Sequence, residues 1–488
     1  MKLPLLSGIA SVLFSFFSME AQEQTSFCGT SVSDQKQMLT HQAAIKNLPE
    51  NGDLLYLPIQ VHNVATDEGT GLYSIYNLYE SLCTLNEDFL PSKIQFYFLN
   101  EINEILSTRY NVHEEFEVGE EMMRRNNIPN VINCYLVANP AGNCGYYSYR
   151  SDGIALGKAC MGRQAHTWTH EMGHFLSLPH PFIGWEGITY NSSKPTYDYQ
   201  NVVTTLIENT DRDNCQNQAD KFCDTHPDYL SARWSCNASF ESNQIQKDFF
   251  NNSFRSDGSL FMSYASDGCM SRFSDEQIQE MRVHIQGRRA GMLNSKINFI
   301  AIEKPSSTAI FPVEASTVPY KSITIRWEKL TGADQYIFQL SRFPGFSLFE
   351  RYEILNQSFI TIDSLYPGKK YFWRVKAINK FEFCHKADLL NTFFTESLST
   401  ASEDLIETNI TISPNPIKVG HELFVSYGSD DIIQIELLNI KGTGIVNLNL
   451  AHVNNATLTQ IPFHTIPGIY ILKIKTKAST SYRKLLVD

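Results

Sequence analysis

From Asp53 onward the chain alternates between two hydrophobic periods. LLYLPIQVHNV, IQFYFL and VINCYLVA are short apolar runs rich in β-branched and aromatic residues, the signature of strands. SIYNLYESLCTLNEDFL repeats apolar residues at helical spacing, EEFEVGEEMMRRNN reads as a polar helix, and GYYSY and GIALG read as two short extended pieces. AHTWTHEMGHFLSL, directly after them, has the composition and spacing of a helix. Strands and helices alternating at this length predict an α/β (α+β) domain with a mixed twisted sheet and helices packed on it. Between about Pro179 and Ser259 the rhythm is lost in a stretch rich in Asn, Asp, Ser and Cys, which predicts an irregular, cross-linked subdomain.

Beyond Ile300 the period changes to two. SITIRWEKL alternates Ile323, Ile325 and Trp327 toward one side, and YFWRVKAIN sets Tyr371, Trp373, Val375 and Ala377 against outward Arg374 and Lys376. Such alternation belongs to half-buried antiparallel strands and predicts a β-sandwich. LYPGKKY places a Pro-Gly turn before Tyr371, where a tyrosine corner would sit. This stretch resembles a fibronectin type III module. A polar linker, SLSTASEDLIE, precedes a last all-β unit that runs from SPNP (Ser413 to Pro416) through IQIELLNIKGTGI and IPGIYILKIKT to RKLLVD. In order and position these elements resemble the C-terminal sorting domain of type IX secretion cargo. That resemblance implies export, followed by release or attachment at the cell surface, with the secretion machinery as a partner.

Length and charge set the outer limits. At 488 residues the chain should hold about three folded units. A net charge of -12 opposes binding to nucleic acid or to anionic membrane surfaces, which reward clustered Lys and Arg. MKLPLLSGIASVLFSFFSMEAQ begins with one Lys before an apolar run and reaches a small residue at Ala21, as a signal peptide does. The run is shorter than the roughly 20 residues a spanning helix needs, and no later segment is apolar enough. Ten cysteines without a CxxC fit an oxidising compartment and leave thiolate zinc fingers unsupported. The expected organisation is a signal peptide (1–21), a pro-segment (22–52), a catalytic domain (53–290), a fibronectin-like module (300–396), a linker (397–409) and a sorting domain (410–488).

The chemistry concentrates in His170-Glu171-Met172-Gly173-His174-Phe175-Leu176-Ser177-Leu178-Pro179-His180. On a helix, residues four apart lie on one face, so His170 and His174 can reach one cation. Pro179 stops the helix, and the chain can then turn to bring in His180. Three neutral nitrogens around Zn2+ leave a fourth position for water, as in catalytic rather than structural sites. Glu171 is then the general base for attack on a carbonyl and the acid that protonates the leaving amine. His166 stands four before His170, but that pairing puts no Glu in the base position, so His166 is expected to be structural or exposed.

This pattern resembles that of the metzincin metallopeptidases, HExxHxxGxxH followed by a Met-turn. The resemblance implies a secreted zinc endopeptidase acting on proteins or peptides. One departure is Ser177 at the Gly position, where positive φ costs a non-Gly residue about 1–2 kcal/mol; a different helix end closed by Pro179 is the alternative. SLFMSYASDGCMSRFSDEQIQEM is similar to the Met-turn region of the pappalysin (ulilysin-like) group, and KFCDTHPD (221–228) also fits it. By that resemblance Met262 forms the floor beneath the zinc, Tyr264 reaches the metal or the oxyanion, and Cys236 pairs with Cys269. Asp267 would sit in the S1′ pocket and favour Arg or Lys, or else be a solvated turn aspartate. Cys28 in FCGTS would cap the zinc in a latent zymogen, or else be a disulfide partner. Acidic loops around Asp224 could hold Ca2+. The competing reading is a catalytically degenerate surface adhesin, for which Ser177 is the one sequence feature.

Overall fold

The computed structural model describes residues 26–42, 52–293 (204 and 206 excepted), 300–302, 309–385 (347 excepted), 390–397 and most of 411–488. The expected signal peptide and most of the expected linker lie outside these residues. The chain divides into two compact units, Met1–Glu396 and Ser397–Asp488.

The first unit is organised on a seven-stranded sheet. Its strand order is Ser26–Cys28, Asn143–Ser148, Gly153–Gly157, Ile132–Val137, Leu55–Ala65 and Ile94–Phe98, with Asn103–Leu106 paired to the distal half of Leu55–Ala65. All neighbours are parallel except Asn143–Ser148 and Gly153–Gly157, which a short turn joins as an antiparallel pair. The mixed sheet anticipated from the alternating pattern is therefore present. Leu57, Ile59, Val61 and Val64 of the central strand are buried, as a strand covered on both faces requires. Helix Ile75–Asp88, capped by the Ser74 side chain on Asn77 N, lays Leu78, Leu82 and Leu85 in the core. Between Pro179 and Ser259 the described residues form only short 3-10 turns and two-residue strands.

Two elements were not legible as such. The stretch expected only as a pro-segment supplies the edge strand Ser26–Cys28 and the helix Val32–Gln42. A three-residue strand carries too little pattern to be read. It forms because Asn143–Ser148 would otherwise present unpaired backbone groups at the sheet edge.

Residues 309–396 form the β-sandwich. One sheet holds Ala309–Phe311, Ser322–Trp327 and Phe359–Asp363; the other holds Ser316–Val318, Asn391–Thr395, Lys370–Ile378, Gln335–Ser341 and Arg351–Leu355. The residues expected to face inward, Ile323, Ile325, Trp327, Tyr371, Trp373, Val375 and Ala377, are all buried. The Tyr371 hydroxyl accepts from Tyr366 N at 2.9 Å, which makes the tyrosine corner.

This sandwich is not a separate bead. Ile337, Ile378 and Phe383 join the core of the sheet domain, and Tyr76–Phe349, Tyr97–Phe381 and Tyr79–Phe383 pack ring against ring at 4.9, 4.9 and 5.7 Å. Cys83 of helix Ile75–Asp88 is disulfide-bonded to Cys384, 301 residues away in sequence. The second unit pairs Thr411–Ser413, Glu422–Ser426 and Ala456–Gln460 in one sheet. A four-stranded sheet holds Gly444–Val453, Ile432–Asn439, Gly468–Thr476 and Thr480–Val487, over a core that includes Ile417, Leu423, Leu437, Leu472 and Leu485.

A bridge that closes so long a loop restricts the unfolded chain strongly. Cys384→Ser is expected to lower the stability of the first unit by about 2–4 kcal/mol, seen as a fall in melting temperature by calorimetry. An unchanged melting temperature would show that the aromatic contacts alone hold the sandwich in place.

Candidate metal centre

Helix Thr167–Phe175 is buried along its whole length. One turn separates His170 from His174, and their rings stand edge-on with centroids 4.8 Å apart. The helix ends at Ser177, whose φ is +82°. Ser177 N donates to His174 O and Leu178 N to Gly173 O, both at 3.0 Å, the paired bonds of a Schellman cap. Serine thus takes the left-handed conformation that glycine adopts more readily, and the expected alternative ending at Pro179 is not used. The reversal returns the chain so that His180 Nε2 lies 3.1 Å from Nε2 of both His170 and His174. With Cys28 Sγ, 3.5 Å from His174 Nε2, the four side chains place one donor atom each within 4.8 Å of one another.

The protonation of these rings follows from their other nitrogens. His170 Nδ1 faces Phe261 O and His174 Nδ1 faces Leu178 O, each at 2.7 Å. A carbonyl oxygen only accepts, so each Nδ1 carries the proton and each Nε2 presents a lone pair. His180 Nδ1 faces Glu186 Oε1 at 3.3 Å, which gives it the same tautomer. Burial, the largest cause, holds all three imidazoles below the usual histidine range and so neutral. Lone pairs converging at 3.1 Å repel unless a cation lies among them, and a set of three neutral imidazoles with a thiol suits Zn2+. Glu186 was not singled out from the sequence, since a lone acid six residues past the motif carries no spacing signal.

Glu171 projects from the same helix into the cleft and is fully buried. Its Oε2 accepts from Thr30 Oγ1 at 3.1 Å. Burial pushes its pKa up to about 8, against the pull of hydrogen bonds from Cys28 and Thr30. The Cys28 thiol is itself held well above its ordinary value by burial and by the charge of Glu171. A divalent cation among the imidazoles would reverse that sign, because a coordinated thiol gives up its proton.

Met262 is buried against Gly173, at which a Cβ would come within 2.3 Å of the Met262 sulfur. A methyl there would have to push the buried Met262 thioether aside, so the Met and the helix glycine are matched. Tyr264 lies beside the cluster, its ring centroid 4.9 Å from that of His180, and its hydroxyl donates to Cys28 O at 2.9 Å.

The remaining side of the cleft is filled by the chain's own residues 26–35. Ser26 and Cys28 align parallel to Asn143 and Gly145, and Gly29 N donates to Gly145 O at 2.8 Å. Thr30 Oγ1 accepts from Tyr147 N at 2.9 Å, while Gln35 bridges His180 N and Glu186 Oε1. Phe27 packs edge-on against His170 and Tyr264.

The other expected residues are distributed as follows. Asp267 lies at this cleft, with Oδ2 paired to Arg233 at 3.1 Å and Oδ1 accepting from His166 N at 3.2 Å. His166 is structural, its Nδ1 2.7 Å from Asp88 Oδ2. Asp224 stands at the start of helix Asp275–Gly287, where it accepts from Ser274 Oγ and Glu276 N at 2.7 and 2.8 Å. It belongs to no cluster of potential metal ligands among the described residues. Cys236 is bonded to Cys269, and Cys144–Cys160 and Cys215–Cys223 complete the framework of the sheet domain. Cys28 and Cys134 are buried outside it.

Comparison with known proteins bears on the last unit. Residues 411–488 match the family "Secretion system C-terminal sorting domain". They are an export address. The chain is thereby directed by the type IX secretion machinery to the extracellular space or the cell surface, and no helix among the described residues is long and apolar enough to cross a membrane. No curated protein matches the sequence. Similar solved structures include the FN1-FN3 domains of chicken CNTN1 (12% identity over 40% of this chain and 72% of that one, TM-score 0.17). A fibronectin type III domain derived from human KIAA0970 protein is similar at 14% identity, over 19% of this chain and 75% of that one, with a TM-score of 0.16. FN3tt is similar at 17% identity, over 19% and 96%, with a TM-score of 0.15.

Two substitutions test the local geometry. Ser177→Gly relieves the left-handed strain and is expected to raise stability by about 1 kcal/mol, whereas Gly173→Ala drives a methyl into Met262 and is expected to lower it by about 1–3 kcal/mol. Denaturant melts of the two variants should move in opposite directions.

Proposed function

We propose that this exported chain is a zinc-dependent endopeptidase of the metzincin type, related to the pappalysin group and made with its cleft closed by its own N-terminal segment. The observation that carries the reading is the convergence of three acceptor nitrogens, from His170, His174 and His180, beside a buried glutamate. Zinc bound there supplies Lewis acidity toward a water and a substrate carbonyl.

The chain's own groups do the rest. Glu171 sits one residue from His170, on the helix that carries two of the ligands, and is suited to accept a proton from water and to deliver it to the departing amine. Strand Asn143–Ser148 offers backbone groups to an extended peptide, as it does to Ser26–Cys28. Tyr264, freed from the Cys28 carbonyl, would have a hydroxyl available to an oxyanion. Met262, packed against Gly173 of the ligand helix, would form the floor beneath the ion.

Cys28 supports latency. Its sulfur sits with the three imidazoles, and its neighbour Thr30 occupies Glu171, so one short segment covers both the ligand set and the base. The degenerate-adhesin reading rested on Ser177, which makes the same helix cap that glycine would. Calcium at Asp224 has no comparable support, since both its oxygens are engaged by helix Asp275–Gly287.

Elemental analysis of the secreted protein together with gelatin or casein cleavage tests the reading. One zinc per chain is expected, lost in His174→Ala. Glu171→Gln is expected to keep the zinc and lose cleavage by about a thousandfold or more, the scale of losing a general base together with its positioning. Cys28→Ala should raise the activity of the full-length chain. Zinc-free wild-type protein, or full cleavage by Glu171→Gln, would overturn the assignment.

A further inference from the structure

Beside the ligand cluster lies a cavity of about 330 Å3 whose walls combine one ion pair with apolar atoms. The Cys144–Cys160 disulfide, Met161 and Ala165 make the apolar part; Arg233 and Asp267 make the charged part. Phe27 is also part of its lining. The Arg233 guanidinium lies 3.9 Å from the centroid of the Phe27 ring, which also makes edge-to-face contacts with His170 at 4.9 Å and Tyr264 at 5.5 Å.

The charges decide what this cavity can accept. An unpaired aspartate here would draw in a basic side chain. Asp267, however, already spends one oxygen on Arg233 and the other on His166 N. A lysine or arginine entering the cavity would meet a guanidinium and a carboxylate already neutralised by it. Arg233 is largely withdrawn from water, and its Nη1 is buried without a hydrogen-bond partner. A desolvated guanidinium of this kind gains most from the face of an aromatic ring. The Met161 thioether in the lining favours the same occupant.

We infer that Arg233 makes this cavity a recognition pocket for an aromatic side chain next to the scissile bond of the substrate, and that Phe27 is its internal stand-in. The substrate claim rests on the endopeptidase reading above. The pocket's own preference does not, because it can be read from the full-length chain without catalysis.

Phe27 and Cys28 are adjacent, so the rate at which Cys28 is alkylated under native conditions reports how often the segment leaves the cleft. Iodoacetamide labelling, followed by peptide mass spectrometry, is read in the full chain with buried Cys134 as an internal control. Phe27→Tyr and Phe27→Trp are expected to label at the wild-type rate within about threefold. Phe27→Ala and Arg233→Ala should each label about tenfold faster, and the double variant no faster than either, since the two changes remove one contact. Phe27→Arg should label fastest of all. Wild-type or slower labelling in Phe27→Arg, or equal labelling across the series, overturns the inference.

A peptide library cleaved by the zinc-loaded Cys28→Ala variant, in which the cleft is no longer capped, gives the second arm. Enrichment of Phe, Tyr or Trp adjacent to the cut, lost when Arg233→Ala is added, supports the pocket; enrichment of Lys or Arg with Arg233 in place overturns it. Absence of all cleavage sinks the endopeptidase reading and the substrate claim with it, and the labelling series then decides the pocket's chemistry alone.

Discussion

Three buried imidazole lone pairs, two of them 3.1 Å from the third, are the constraint around which the first unit is arranged. Left to themselves they repel. They stay together because each ring is pinned from behind, by Phe261 O, Leu178 O and Glu186, and because the helix that carries two of them ends in a cap that returns the third. The surrounding features serve that convergence. Gly173 lets Met262 press against the helix, and the sheet supplies the rigid wall against which the helix lies.

The same constraint explains why the N-terminal segment folds back. Its strand is too short to be stable alone, and isolated strand pairs are marginal in water. It gains a parallel ladder on Asn143–Ser148, an aromatic anchor in Phe27 and hydrogen bonds from Thr30 and Gln35 into the cleft. Each contact is modest. Together they place a sulfur beside the histidines and a hydroxyl on the glutamate, so closure of the cleft and burial of its most polar groups are one event.

Much of this was legible because it is local. His170 and His174 share a helical face with Glu171 beside them, Pro179 and His180 follow within six residues, and alternation in SITIRWEKL and YFWRVKAIN assigns the sandwich and its corner tyrosine. What escaped depends on distant residues. Glu186 enters the site through its contacts with His180 and Gln35, the pairing of Cys83 with Cys384 spans 301 residues, and the strand at Ser26–Cys28 pairs with another strand more than a hundred residues away. Asp267 shows the limit most clearly: the resemblance of the run around Met262 implies a place for it beside the cleft, but the guanidinium that neutralises it comes from a loop more than thirty residues earlier. Local pattern places a side chain, and only the fold reveals its neighbours.

The link between Cys83 and Cys384 also sets an order of events. A polypeptide emerges from the ribosome N-terminus first, so the sheet domain is complete in sequence long before its partner cysteine exists. Cys83 must therefore wait as a thiol until the sandwich has been made and docked, and until the chain has reached an oxidising compartment. The bridge marks a finished molecule, and a chain truncated ahead of residue 384 would carry an unmatched sulfhydryl by which quality control could recognise it.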